Sequence, residues 1–262
     1  MRVFACILAT SLALGGAAEA TPKRVASLNL CTDELLLMLA APEQIVSVTH
    51  LSHKQAETPL WKRARRYEEN DGSLLSVVGH RPDLVLTMGG GARDRVSIAE
   101  QLDIATLDLP FPQSIQDIEA SISAVAQALG RQEQGRRLIA RIDRLERSEP
   151  KRQHDTVWLG GGGRSVASGG LAAQWMALAG LRQRPLKGDR ISLEQLLIRP
   201  PQILLRSDYR QGQYSGEQRW LNHPLARGTE KSRTVVTDGR RWTCMGPLIL
   251  DEIQRLRQEM AE

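Results

Sequence analysis

Residues 73–86 read SLLSVVGHRPDLVL, and residues 192–205, 119 positions later, read SLEQLLIRPPQILL. Few residues are identical, but each unit is a short amphipathic turn, a proline and an apolar run. Leu74, Val77, Val78, Pro82, Leu84, Val85 and Leu86 fall opposite Leu193, Leu196, Leu197, Pro201, Ile203, Leu204 and Leu205. A two-fold repeat with so long a period predicts two similar lobes, not a solenoid of short units. Two such lobes imply a cleft between them, and a cleft implies a ligand.

The flanking segments follow the same programme. In the first half, strands are predicted over 24–30, 45–48, 84–87 and 105–109, with a loop carrying His50 and His53 after the second. Thr32 is read as the cap of a helix whose first turn holds Asp33 and Glu34, where the dipole favours negative charge. In the second half, strands over 156–159, 203–205 and 234–237 alternate with helices over 171–179 and 247–260. Between the halves lie a helix opened by Ser114 with Asp117 and an arginine-rich helix over 131–147, whose charges suit pairing on a wet face. Strands alternating with helices predict an α/β fold of parallel sheets covered on both faces. The expected division is 1–20, 21–130, 131–150 and 151–262.

The first of these segments reads as a cleaved export signal. Arg2 is followed by an apolar run over 3–14 and the small-x-small ending Ala18-Glu19-Ala20, so a periplasmic location is expected. Processing leaves 242 residues and the same formal charge of +5, because Arg2 and Glu19 leave together. That excess is scattered and not interleaved with aromatics, which argues against nucleic acid as a partner. Cys31 and Cys244 remain. In an oxidising compartment they read first as a disulfide, with thiolate ligands or two free thiols as the competing readings.

No catalytic set emerges. The glycine run 160–163 lacks the Lys-Ser/Thr ending of a phosphate loop and is read as a cleft wall. There is no HExxH, CxxC or GxSxG pattern, so no metal site and no hydrolytic centre is assigned. Trp175 is read as core. Trp242, between Arg241 and Thr243, is read as lining the cleft, where it would stack on a planar ligand.

The chain resembles the periplasmic substrate-binding proteins of ABC importers for ferric siderophores, haem and cobalamin. The resemblance rests on RVASLNLCTDELLLMLA (24–40), RPDLVLTMGGG (81–91), SIQDIEASISAVAQALG (114–130), LAGL (178–181) and ISLEQLLIRPPQILL (191–205), in that order. It implies two lobes joined by one rigid helix, matched by 131–147, with a metal chelate captured in the cleft and delivered to a permease. A monomer without cofactor or catalysis is expected. The cleft residues assigned on this basis are Asn29, Thr32, Leu51, His53, Met88, Gly89, Gly90, Arg93, Gly162, Arg164, Arg206, Tyr209 and Trp242. The arginines suit carboxylate or catecholate oxygens. Such proteins dock on their permease through one acid per lobe. Glu194 stands at that position in the second lobe, whereas the first has Leu75, so Glu69 is assigned there, with Glu68 and Asp71 as alternatives. The resemblance also puts Cys31 and Cys244 at the starts of cleft-facing helices, one in each lobe. Two other readings stay open. One is an exported α/β enzyme using the glycine loops and Arg164 on an anionic substrate. The other is a binding protein holding a bare transition metal through His53 and the cysteines.

Overall fold

Val25, Ala26, Val85 and Leu86 are buried on both faces of their strands, which is what uninterrupted apolar runs in a covered parallel sheet require. The computed structural model describes residues 21–89, 93–209, 215–228 and 231–261, and of 93–96 the backbone alone. The export-signal reading of 1–20 and the cleft assignment of Gly90 lie outside the described residues.

The first half runs β1 (Val25–Ser27), α1 (Leu30–Leu39), β2 (Ile45–Thr49), α2 (Trp61–Ala64), β3 (Glu68–Asn70), α3 (Leu75–Val78), β4 (Leu84–Met88), α4 (Arg93–Gln101) and β5 (Ala105–Leu109). Its strands form a parallel sheet ordered β3-β2-β1-β4-β5. Then come α5 (Ile115–Ala128) and α6 (Gln132–Arg147). The second half runs β6 (His154–Leu159), α7 (Leu171–Leu178), β7 (Leu181–Gln183), α8 (Leu193–Ile198), β8 (Ile203–Ser207), α9 (Gly216–Leu221), α10 (Pro224–Arg227), β9 (Arg233–Thr237) and α11 (Ile249–Ala261). Its sheet is also parallel, ordered β7-β6-β8-β9. The repeat is therefore topological: β2-β1-β4-β5 superposes in order on β7-β6-β8-β9, and the two repeated segments are α3 with β4 and α8 with β8. Val77 and Leu196, paired by the repeat, are both fully buried.

One apolar core runs through both sheets. The helix that touches α1 on one side and α7 on the other is α5, through its buried Ile118, Ile122 and Val125. The arginine-rich α6 packs against α5, and Gly135 lets it approach: a Cβ there would lie 2.6 Å from that of Ala126. Trp175 is fully buried, and its indole N–H donates to the Met245 carbonyl at 2.9 Å. Ser114 caps α5 as its sequence indicates, its hydroxyl accepting from the Asp117 amide and the Asp117 carboxylate accepting from Ser114 N–H.

One local reading needs correction, and one segment escapes the strand pattern. The cap of α1 is Asn29, whose side chain accepts from the Cys31 amide at 2.8 Å, and not Thr32. Residues 61–70, a basic and polar stretch without strand periodicity, hold α2 and the edge strand β3. Its sequence Glu-Glu-Asn has no apolar signature because the strand is held by backbone pairing with β2 and by Asn70, which donates to Ser47 Oγ and the Ser27 carbonyl. Among the described residues no helix is long and apolar enough to cross a membrane.

Candidate functional site

The two sheets meet at the carboxyl ends of their strands. The chain leaving β1 enters α1, where Cys31 is disulfide-bonded to Cys244, which follows β9, with the Cα atoms 5.2 Å apart. The loop leaving β2 reaches the loops leaving β8 and β9 through two further links. Tyr209 Oη donates to Glu57 Oε2 at 2.6 Å, and Arg240 Nη1 donates to the Gln55 carbonyl at 2.9 Å. Arg240 is held in place by Asp238, which binds its guanidinium at Nε and Nη2. That hydrogen bond raises the Arg240 pKa, and burial opposes it only partly. Beneath these links the seam is nearly filled. A residual void of about 10 Å³ is bordered by Cys31, Glu34, Met88 and Cys244, among others.

The first-sheet loop is positioned by two buried carboxyls that cap nothing. Asp33 Oδ2 accepts from the Thr49 amide, Thr49 Oγ1 and Ser52 Oγ, while its Oδ1 is buried without a partner. Glu34 accepts from Thr58 Oγ1 at 3.1 Å. The two acids thus pin both ends of the segment that carries Gln55 and Glu57 across the seam. Burial dominates their chemistry. It pushes Asp33 up to about 6 against the lowering influence of the Ser27, Thr49 and Ser52 hydroxyls, and Glu34 up to about 8, with Asp33 adding to the rise and Thr58 and Arg241 opposing it.

On the other side of the seam, Gly239 packs against Tyr209. A Cβ at this position would lie 2.3 Å from Ser207 Oγ and 2.4 Å from Tyr209 Cβ. We expect Gly239→Ala to displace Tyr209 and to cost about 1–3 kcal/mol by overpacking, checked by urea unfolding. An unchanged midpoint would show that the loop yields freely.

The assigned residues divide accordingly. Tyr209 bridges the seam, Met88 borders its void, and Gly89 packs on the Phe111 ring at φ +107°, a conformation that favours glycine. Leu51 and His53 lie half-buried on the first-sheet loop. His53 Nδ1 is 3.4 Å from Glu69, its Nε2 is buried without a partner, and its carbonyl accepts from Arg65. Asn29 is committed to its capping bond. The Arg93 side chain lies outside the described residues.

Several assignments fail on geometry. Trp242 is only 4% exposed, with its N–H donating to Thr237 Oγ1 and its ring edge-on to Trp158 at 4.7 Å, so it offers no face to a ligand. Thr32 is fully buried between Ser27 Oγ and the Asn29 carbonyl. Arg206 shares with Leu204 the face of the second sheet that packs on Leu196 and Leu221, and reaches Asn222 at the end of α9. Gly162 and Arg164 form a turn covered by α9. Glu217 ion-pairs with Arg164 at 2.8 Å and lies over the glycines, so a carboxylate already holds the place an anionic substrate would need. The bare-metal reading loses its thiolates to the disulfide. Glu194 is exposed on α8, its carboxyl lowered by the hydrogen bond from Ser192, while Leu75 at the equivalent point is 84% exposed.

Two parallel sheets facing one another across a linked seam define a bilobal binding protein. The chain belongs to the periplasmic binding protein family, which matches residues 25–234. Solved structures share the fold at low identity. The haem-binding protein BhuT, determined with two haems, is 19% identical with a TM-score of 0.68, over 91% of this chain and 98% of that one. The vitamin B12-binding protein BtuF of Vibrio cholerae is 17% identical with a TM-score of 0.63, over 92% and 97%. The siderophore-binding protein BauB, bound to ferric iron and two acinetobactin molecules, is 13% identical with a TM-score of 0.69, over 92% and 94%. No curated protein matches the chain significantly in sequence.

Proposed function

We propose that the protein captures a metal chelate (a ferric siderophore, haem or cobalamin) between its two sheets in the periplasm and delivers it to an ABC permease. The observation that carries this reading is the meeting of strand carboxyl ends across a seam whose upper part is bridged, among the described residues, by hydrogen bonds from the Tyr209 and Arg240 side chains. Open α/β sheets bind ligands at such ends. Tyr209 and Arg240 are the donors there, and a chelate's oxygens can accept from their hydroxyl and guanidinium in place of Glu57 and the Gln55 carbonyl. Leu51, His53 and Met88 border the same region, and Glu194 offers the exposed acid for the permease. The export-signal reading of 1–20 and the family both support a location outside the cytoplasm, and the role is binding without turnover.

A thermal-shift screen of the mature chain against haemin, several ferric siderophores and cobalamin tests this. A hundredfold excess over Kd stabilises by about 2.7 kcal/mol, which for a chain of this size raises Tm by roughly 5–10 °C. One chelate class is expected to do so, with the effect reduced in Tyr209→Phe. No shift with any of the three classes would overturn the assignment.

A further inference from the structure

The end of the second sheet opposite the seam carries a second concavity. It lies where β6, β8 and β9 begin, is a shallow hollow of about 480 Å³ open to solvent, and is lined by Arg152, His154, Gln202, Lys231 and Arg233 over a floor that includes Ile203 and Met260. No carboxylate is among its lining residues. Among the described residues, neither Arg152 nor Lys231 pairs with an acid. Arg233 reaches Glu259 only at 3.9 Å, while Glu259 is engaged by Arg255 at 2.6 Å. Asp155, the adjacent acid, is bound to Arg184.

We propose that this concavity binds a phosphate-type oxyanion, with Arg152, Lys231 and Arg233 as its ligands and His154 at its wall. Three cations line a water-accessible hollow, two of them without an acidic partner among the described residues and the third, Arg233, at the edge of ion-pair range from Glu259. They repel one another, and a multivalent anion relieves that repulsion while accepting charge-assisted hydrogen bonds. The imidazole of His154 reports the same field: burial first, then Arg152 and Arg233, push its pKa down. The apolar floor leaves room for a short carbon substituent on the anion, so the same chemistry fits a free phosphate ester or a phospholipid headgroup. The site is independent of the seam and stays open to solvent whatever the seam holds.

The test follows the His154 ring by NMR in the full mature chain, assigned with His154→Gln, and compares inorganic phosphate with sodium chloride at equal ionic strength. Phosphate is expected to move the His154 titration midpoint upward in a saturable way, because a bound anion reverses the local potential. The double variant Arg152→Gln/Arg233→Gln, altered at two exposed side chains, is expected to bind phosphate about tenfold or more weakly. Cosedimentation with phosphatidylglycerol vesicles, lost in the double variant, would assign the anion to a headgroup. A saturable phosphate response without cosedimentation would assign it to a soluble phosphate. An identical response to chloride, or a double variant that responds like the parent, would overturn the proposal.

Discussion

Replacing both bridge cysteines, Cys31→Ser with Cys244→Ser, is expected to lower the unfolding free energy by about 5 kcal/mol in the chain-entropy account. The bridge spans 213 positions, so it removes more freedom from the unfolded chain than a short loop would. The expected loss is a large part of the stability of an ordinary domain, and urea unfolding with and without reductant measures it. The bridge also joins α1 to the segment after β9. Its loss should therefore free the two sheets to separate and leave the Tyr209–Glu57 and Arg240–Gln55 links to hold the seam. A double variant within 1 kcal/mol of the parent would show that the folded core, not the covalent tie, sets the stability.

The second large effect is a dependence on pH. Glu34 and Asp33 both titrate higher when folded, about 8 and about 6, than the ordinary 4.5 and 3.8. The native protein thus keeps protons that the unfolded chain has released, and stability falls as pH rises. Their contribution is fully present below the ordinary value of 3.8 and is lost as pH climbs first through the folded Asp33 value and then through that of Glu34. Glu34→Gln retains an acceptor for Thr58 but has no charge to bury. It should exceed the parent by a few kcal/mol at pH 9 and match it near pH 4.5. Urea unfolding of both proteins across that range reads the difference. Parallel profiles would contradict it, and would mean that Arg241 compensates the Glu34 charge in full.

The repeated segments make the two-sheet plan legible, because Val77 and Leu196, or Leu86 and Leu205, are apolar for the same packing reason in both halves. The short edge strands escape detection. Glu68–Asn70 and Leu181–Gln183 are defined by the neighbour they pair with and not by their own side chains. The site is only partly legible. Tyr209 reads as a cleft residue, but its partner Glu57 carries no local mark of its role. Arg206 and Trp242 mislead because a charged or aromatic residue beside a cleft loop can equally be turned to the other face of its sheet or folded under it. The helix Leu30–Leu39 is apolar nearly all round, so it is buried all round, and acids in its first turn must face protein. Asp33 and Glu34 therefore had to be positioning groups and could not be wet capping charges.

Hydrogen exchange of the chelate-loaded protein against the free protein addresses the central claim most directly. Binding between the sheets predicts added protection in both halves at once, over the loop 50–58 and over the segments around Tyr209 and 238–242. Protection confined to one half, or to the far end of the second sheet, would contradict it.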